Sequence, residues 1–152
     1  MASADDTPDS DTAELQSVLT RYVDSCDGYT AAAKAVESPG LAKAFLEISN
    51  RRKLIVDRVA TLIHDQGKKP DEEGSMEAAI HRTWIQLRAK MTGEEFKVTM
   101  AECLRGEKEL DRTIREALDS GLLEPDHAAI LNEVSTELKH ALTTFESALG
   151  KS

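Results

Sequence analysis

The sequence predicts an all-α protein of four long amphipathic helices, with a fifth helical piece between the second and the third. Three observations carry this. Aromatic residues make up only 4% of the 152 residues, against 40% hydrophobic and 31% charged, a mixture that favours helix over sheet. Four segments repeat apolar residues at alternating steps of three and four, the spacing that lays a stripe along one helix face. Breakers cut the chain into pieces of helical length, and no alternating strand pattern competes with them.

Residues 1–11, MASADDTPDSD, are polar and acidic, which predicts a disordered lead-in to a single domain over 12–150. The stretch has neither a basic region nor an apolar run, so it does not read as an export signal. A cytoplasmic protein is expected, with Cys26 and Cys103 as thiols. The first helix is expected over 12–37, its stripe reading Leu15, Leu19, Tyr22, Cys26, Tyr29, Ala33 and Val36. Ser38-Pro39-Gly40 breaks it, and Pro39 suits the first turn of the next helix. That helix is expected over 40–66, with a stripe of Leu41, Phe45, Ile48, Arg52, Ile55, Val59 and Leu62.

Gly67 opens a loop, and a shorter helix is expected over 75–91 with Met76, Ala79, Ile80, Trp84, Leu87 and Met91 on one face. Thr92 and Glu95 have capping-box spacing. The next helix, over 94–119, carries Phe96, Met100, Cys103, Glu107, Leu110, Ile114 and Ala117. Gly121 can close it and Pro125 can open the last, over 125–149, whose stripe is His127, Leu131, Val134, Leu138, Ala141, Phe145 and Ala148.

The links around Pro39 and Gly121 are short enough to make each flanking pair an antiparallel hairpin. The helix over 75–91 spans about 25 Å, enough to carry the chain from one end of a bundle to the other. That is the long crossover of ferritin-like four-helix bundles, and it is the expected fold.

The net charge of −9 and sequence pI near 4.9 argue against binding a phosphate backbone, so no nucleic-acid partner is expected. No apolar run reaches membrane-spanning length, so no membrane partner is expected. A protein partner or a homo-oligomer fits the composition.

Chemistry is thin. Glu137 and His140 share the E-x-x-H spacing of di-iron carboxylate bundles. Such a site needs a second E-x-x-H, and the second helix offers only Glu47-x-x-Asn50. His140 points about 130° from the centre of its stripe at 100° per residue, and Glu137 sits at the flank. Both read as solvent-facing, and neither a metal nor another cofactor is expected. His64 and His127 lie near helix ends without ligand-spaced partners.

Arg52 and Glu107 are the sharper anomaly, each interrupting an apolar stripe at mid-helix. Either the stripes drift and both reach water, or the two form an interior ion pair, with Glu102 or Tyr22 satisfying the remaining donors. Cys26 and Cys103 lie on inward stripes at similar depth and read as small buried residues; a redox pair would need lowered thiol pKa values. Ser75, His81, Arg82 and Trp84 could form a polar cluster that ties the crossover to the bundle, or a small-ligand site if a closed pocket forms beside His81 and Trp84.

GSMEAAIHRTWIQLRAKMTG and ECLRGEKELDRTIREAL carry Gly74-Ser75, His81-Arg82-x-Trp84, Thr92-Gly93 and Glu102-x-x-Arg105-Gly106-Glu107. With Phe45 and Arg52 in the stretch 41–65, these resemble an uncharacterised bacterial family of ferritin-like four-helix bundles, over roughly residues 13–148. The family usually has Glu where Leu104 stands here, so any role for that acid is absent. The resemblance implies the fold without an established activity. A non-catalytic structural or interaction bundle is the first expectation, with a stress-related role implied by related bundles. The alternative is a metal-binding or di-iron-type oxidase bundle with a degenerate site.

Overall fold

The computed structural model describes residues 10–79, 81 and 95–150. Arg82, Trp84, Thr92 and most of the expected crossover lie outside the described residues, as do residues 1–9. Four long helices dominate: α1 (Ser10–Ala35), α2 (Pro39–His64), α3 (Glu95–Asp119) and α4 (Pro125–Gly150). No strand occurs among the described residues, and none of their helices is long and apolar enough to cross a membrane.

Local chemistry sets the ends. Ser38 sits in extended conformation and its hydroxyl accepts from Leu41 N at 3.2 Å, while Pro39 takes the first helical position of α2. Such a cap is worth about 1 kcal/mol. Gly121 follows α3 at φ 72°, a left-handed conformation that costs glycine nothing. The N-terminus differs from expectation. Ser10 and Asp11 belong to α1, and Asp11 is buried because the end of α2 and the start of α4 close over it.

Side-chain contacts give the helix directions. Asp11 and Thr12 at the start of α1 bond Gln66, just past the end of α2, and Asp11 also meets His127 at the start of α4. At the opposite end, Tyr29 of α1 packs against Phe45 of α2, Phe145 of α4 and Met100 of α3 in one cluster. Hence α1 and α4 run one way, and α2 and α3 run the other. The packed neighbours are α1 with α2, α1 with α3, and α3 with α4, which sets α2 and α3 across the diagonal.

Most of the expected stripes are buried, with one shift of phase. In α2 the interior residues after Phe45 are Ser49, Arg52, Val56, Val59, Ala60 and Ile63. Ile48, Ile55 and Leu62 are half-buried, because a straight helix drifts against a strict seven-residue repeat. Phe96, expected inside, is 48% exposed in the first turn of α3. The interior divides into two apolar clusters. The larger contains Leu15, Leu19, Tyr22, Val59, Ile114, Leu131 and Leu138; the smaller contains Tyr29, Phe45, Met100 and Phe145.

Candidate functional site

A layer of polar side chains lies between the two clusters. Arg52, with no accessible surface, reaches from α2 toward Glu107 of α3, which is 1% exposed. Its Nη1 and Nη2 donate to Oε1 and Oε2 of Glu107 at 2.8 and 2.7 Å. This bidentate fork is the strongest geometry available to a guanidinium and a carboxylate. Nε donates to Glu137 Oε1 at 3.0 Å, and Nη1 also donates to Ser25 Oγ at 2.7 Å. The guanidinium carbon stands 5.6 Å from the centre of the Tyr29 ring, within cation–π range. All four helices thus contribute to one arginine.

Burial would lower the pKa of Arg52. The hydrogen bonds and charge of Glu107, with the charge of Glu137, outweigh it and hold the group above its ordinary value. Two carboxylates and one guanidinium leave the layer one negative charge in excess, and Glu137 carries it at the edge, where its side chain is 34% exposed. Tyr22, also fully buried, has a hydroxyl without a partner among the described residues.

The interior ion pair is therefore present, but two of its expected supports differ. Glu102 does not reach Arg52; Tyr22 does not either, and Ser25 and Glu137 supply the remaining acceptors. Glu137, read as solvent-facing, turns inward from the flank of its stripe, because a glutamate has the length to reach a charge that its Cβ does not face. His140 is exposed, as expected, so the E-x-x-H pair is split between the interior and the surface.

Glu102 belongs to a second cluster. It accepts from Arg105 Nε at 2.8 Å and pairs with Nε2 of His81. An ionised carboxylate only accepts, so the His81 ring carries its proton on Nε2. Burial would raise the pKa of Glu102, but Arg105 and His81 prevail and hold it below the usual carboxylate value. Nearby, Ser75 N and Oγ both donate to Asp24, at 2.8 and 2.9 Å, and Ser75 Oγ accepts from Ala78 N. Ser75 and His81 thus tie the segment after Gly74 to α1 and α3. Ser75 and Glu102 are bound to neighbours rather than gathered into one centre with Arg52.

The cysteines do not face a common partner. Cys26 donates to the carbonyl of Ser49 at 3.4 Å. Cys103 packs on the smaller apolar cluster, and burial, then the charges of Glu107 and Glu102, push its thiol up to about 12. Thiolate chemistry at neutral pH is disfavoured there.

Sequence reasoning set His127 on the inward stripe of the last helix but missed its partner. It is buried, and its Nδ1 donates to Asp11 Oδ2 at 2.8 Å. Asp11 also accepts from Glu124 N and Gln66 Nε2, both at 2.7 Å. Ligand-type atoms of Asp11, Glu124 and His127 lie within 4.8 Å of one another. The Asp11 carboxylate already has three donors, so the cluster reads as a tie holding α1, α4 and the end of α2 together. Asp11 and His127 are 116 positions apart, too far for any local spacing rule to pair them.

A family model described as Domain of unknown function (DUF2383) matches residues 11–120. The chain belongs to this family. The match takes in α1, α2 and α3, with Arg52, Glu107, Glu102 and the Ser75–His81 stretch. It ends before α4, which supplies Glu137. No curated protein and no solved structure matches the chain.

Proposed function

We propose that the chain is a non-catalytic, ferritin-like bundle with a structural or interaction role, in which a charged side chain takes the place of a metal centre. The reading rests on Arg52. In a ferritin-like di-metal site, carboxylates from facing helices converge on cations at mid-bundle. Here Glu107 and Glu137 converge on a guanidinium at that depth, and the oxygens that would hold a metal accept its hydrogen bonds. A divalent cation would have to displace a buried, fully charged arginine.

Helix directions support the ferritin-like assignment. With α2 and α3 running the same way, α3 begins at the end of the bundle opposite to where α2 finishes, the arrangement that one long crossover produces. The two free thiols fit a cytoplasmic setting. A stress-related role has no support in particular residues.

The test is elemental analysis of protein purified without chelators, followed by titration with ferrous iron. We expect no stoichiometric iron or manganese. One or two ions per chain, lost in Glu107→Gln, would restore the alternative of a metal-binding bundle.

A further inference from the structure

Against the polar layer, with Ser25, Tyr29 and Glu107 in its wall, α1 and α3 part around an open-sided cavity of about 440 Å³. The segment carrying Ser75, Ala78 and His81 forms its third wall. A volume of this size suits a small molecule rather than a few waters. Gly28 of α1 and Gly106 of α3 both line it, and a Cβ added at either would meet nothing within 4 Å among the described residues. Two mid-helix glycines cost stability relative to alanine, and here half-buried Gly28 and exposed Gly106 leave the mouth of the cavity clear of side chains.

The walls say what fits. Arg21 is paired with Asp24, Arg105 with Glu102, Arg112 with Glu109, and Glu107 with Arg52. The wall charges are therefore largely cancelled in place, and no cationic or anionic ligand is favoured. Between them the lining is alanine, glycine and the Cys103 side chain. Two wall residues, Tyr29 and Thr99, are buried; the Thr99 hydroxyl has no hydrogen-bond partner among the described residues, and the Tyr29 hydroxyl interacts with Glu107. A buried hydroxyl without a partner costs stability, so Thr99 is set to bond an incoming group. Burial first, and then the charges of Glu107 and Cys103 and a hydrogen bond to Glu107, raise the pKa of Tyr29, so it keeps its proton and is no anion in the wall.

From the open space at Gly28 and Gly106 and the unpartnered, buried hydroxyl of Thr99, we infer that this cavity binds a small uncharged molecule with an apolar body and a hydrogen-bond-accepting oxygen, such as a ketone. This goes beyond the non-catalytic reading. The cavity shares Ser25, Tyr29 and Glu107 with the Arg52 layer, and the variants that test it, at Gly28, Thr99 and Gly106, change none of the three.

The probe is 6-propionyl-2-(dimethylamino)naphthalene, a neutral fluorescent ketone. We expect saturable binding at one site per chain with blue-shifted emission. Gly106→Leu places a side chain in the open space and is also a better helix former; it should abolish binding while the melting temperature holds or rises. Gly28→Leu fills the same space from α1 and serves equally if Gly106→Leu fails to fold. Thr99→Val should weaken binding about five- to tenfold, as loss of one hydrogen bond does. Absence of saturable binding, or binding that survives both leucine variants, would overturn the inference.

Discussion

Arg52 and Glu107 meet through two hydrogen bonds of 2.8 and 2.7 Å at the centre of the protein, neither with appreciable access to water. They belong to diagonal helices, so the bond crosses the whole interior. Apolar packing alone would let helices slide by a turn; a single buried fork fixes one relative height of α2 and α3. Ion pairs of this kind add little net stability over apolar residues of the same shape, but breaking one is costly. The pair therefore contributes register more than free energy.

The second carboxylate should matter less than the first. Glu137 accepts from Arg52 Nε at 3.0 Å yet keeps 34% of its side chain in water. With Glu137→Gln the amide oxygen can still accept, and Arg52 keeps Glu107. The expected loss is about 1 kcal/mol in urea unfolding, against several for Glu107→Gln. Equal costs for the two variants would mean that the layer acts as one indivisible unit.

Acid should loosen the Asp11 end of the bundle. Burial would raise the Asp11 pKa, but the Glu124 backbone N–H, the Gln66 amide and His127 prevail and hold it below its ordinary 3.8. A carboxyl depressed in the folded state adds stability that is full above its unfolded pKa and is lost as pH falls through the folded value. The advantage of the native protein over Asp11→Asn should thus be constant at neutral pH and shrink below about pH 4. Urea unfolding from pH 7 to 3 measures it; a pH-independent difference would remove Asp11 from the acid response.

Gly74 should resist substitution. Its φ is 78°, and an added Cβ would stand 2.9 Å from Asp24 Oδ1 and 3.1 Å from Val23 Cγ1. Asp24 cannot swing aside cheaply, because Ser75 and Arg21 hold it. Gly74→Ala should cost about 1–3 kcal/mol by strain and crowding, with Gly28→Ala as a control where space is open. Equal stability for the two would contradict the close approach.

The helices and breakers were legible because each has a local cause: the three-four spacing, Pro39 behind Ser38, Gly121 before Pro125. Arg52 and Glu107 were legible for the same reason, since each breaks a stripe that is otherwise apolar. What surrounds them was not. Glu137 turns inward from a flank position, and helical phase locates a Cβ rather than the end of a long side chain. Asp11 reads as part of a polar tail until the ends of α2 and α4 close over it. The cavity was legible only as a condition, a pocket beside His81, because empty space is a property of three packed elements and not of any one of them.

The most direct measurement of the central claim is a double-mutant cycle on Arg52→Met and Glu107→Leu, followed by urea unfolding. Arg52→Met strands Glu107, and Glu107→Leu leaves Arg52 with only the half-exposed Glu137 for a countercharge; each should cost roughly 3–5 kcal/mol. The double variant removes both charges and should be far more stable than the sum predicts, with a coupling above about 2 kcal/mol. Additive costs would show that Arg52 and Glu107 do not depend on one another, and would contradict the ion pair as the organising contact of the bundle.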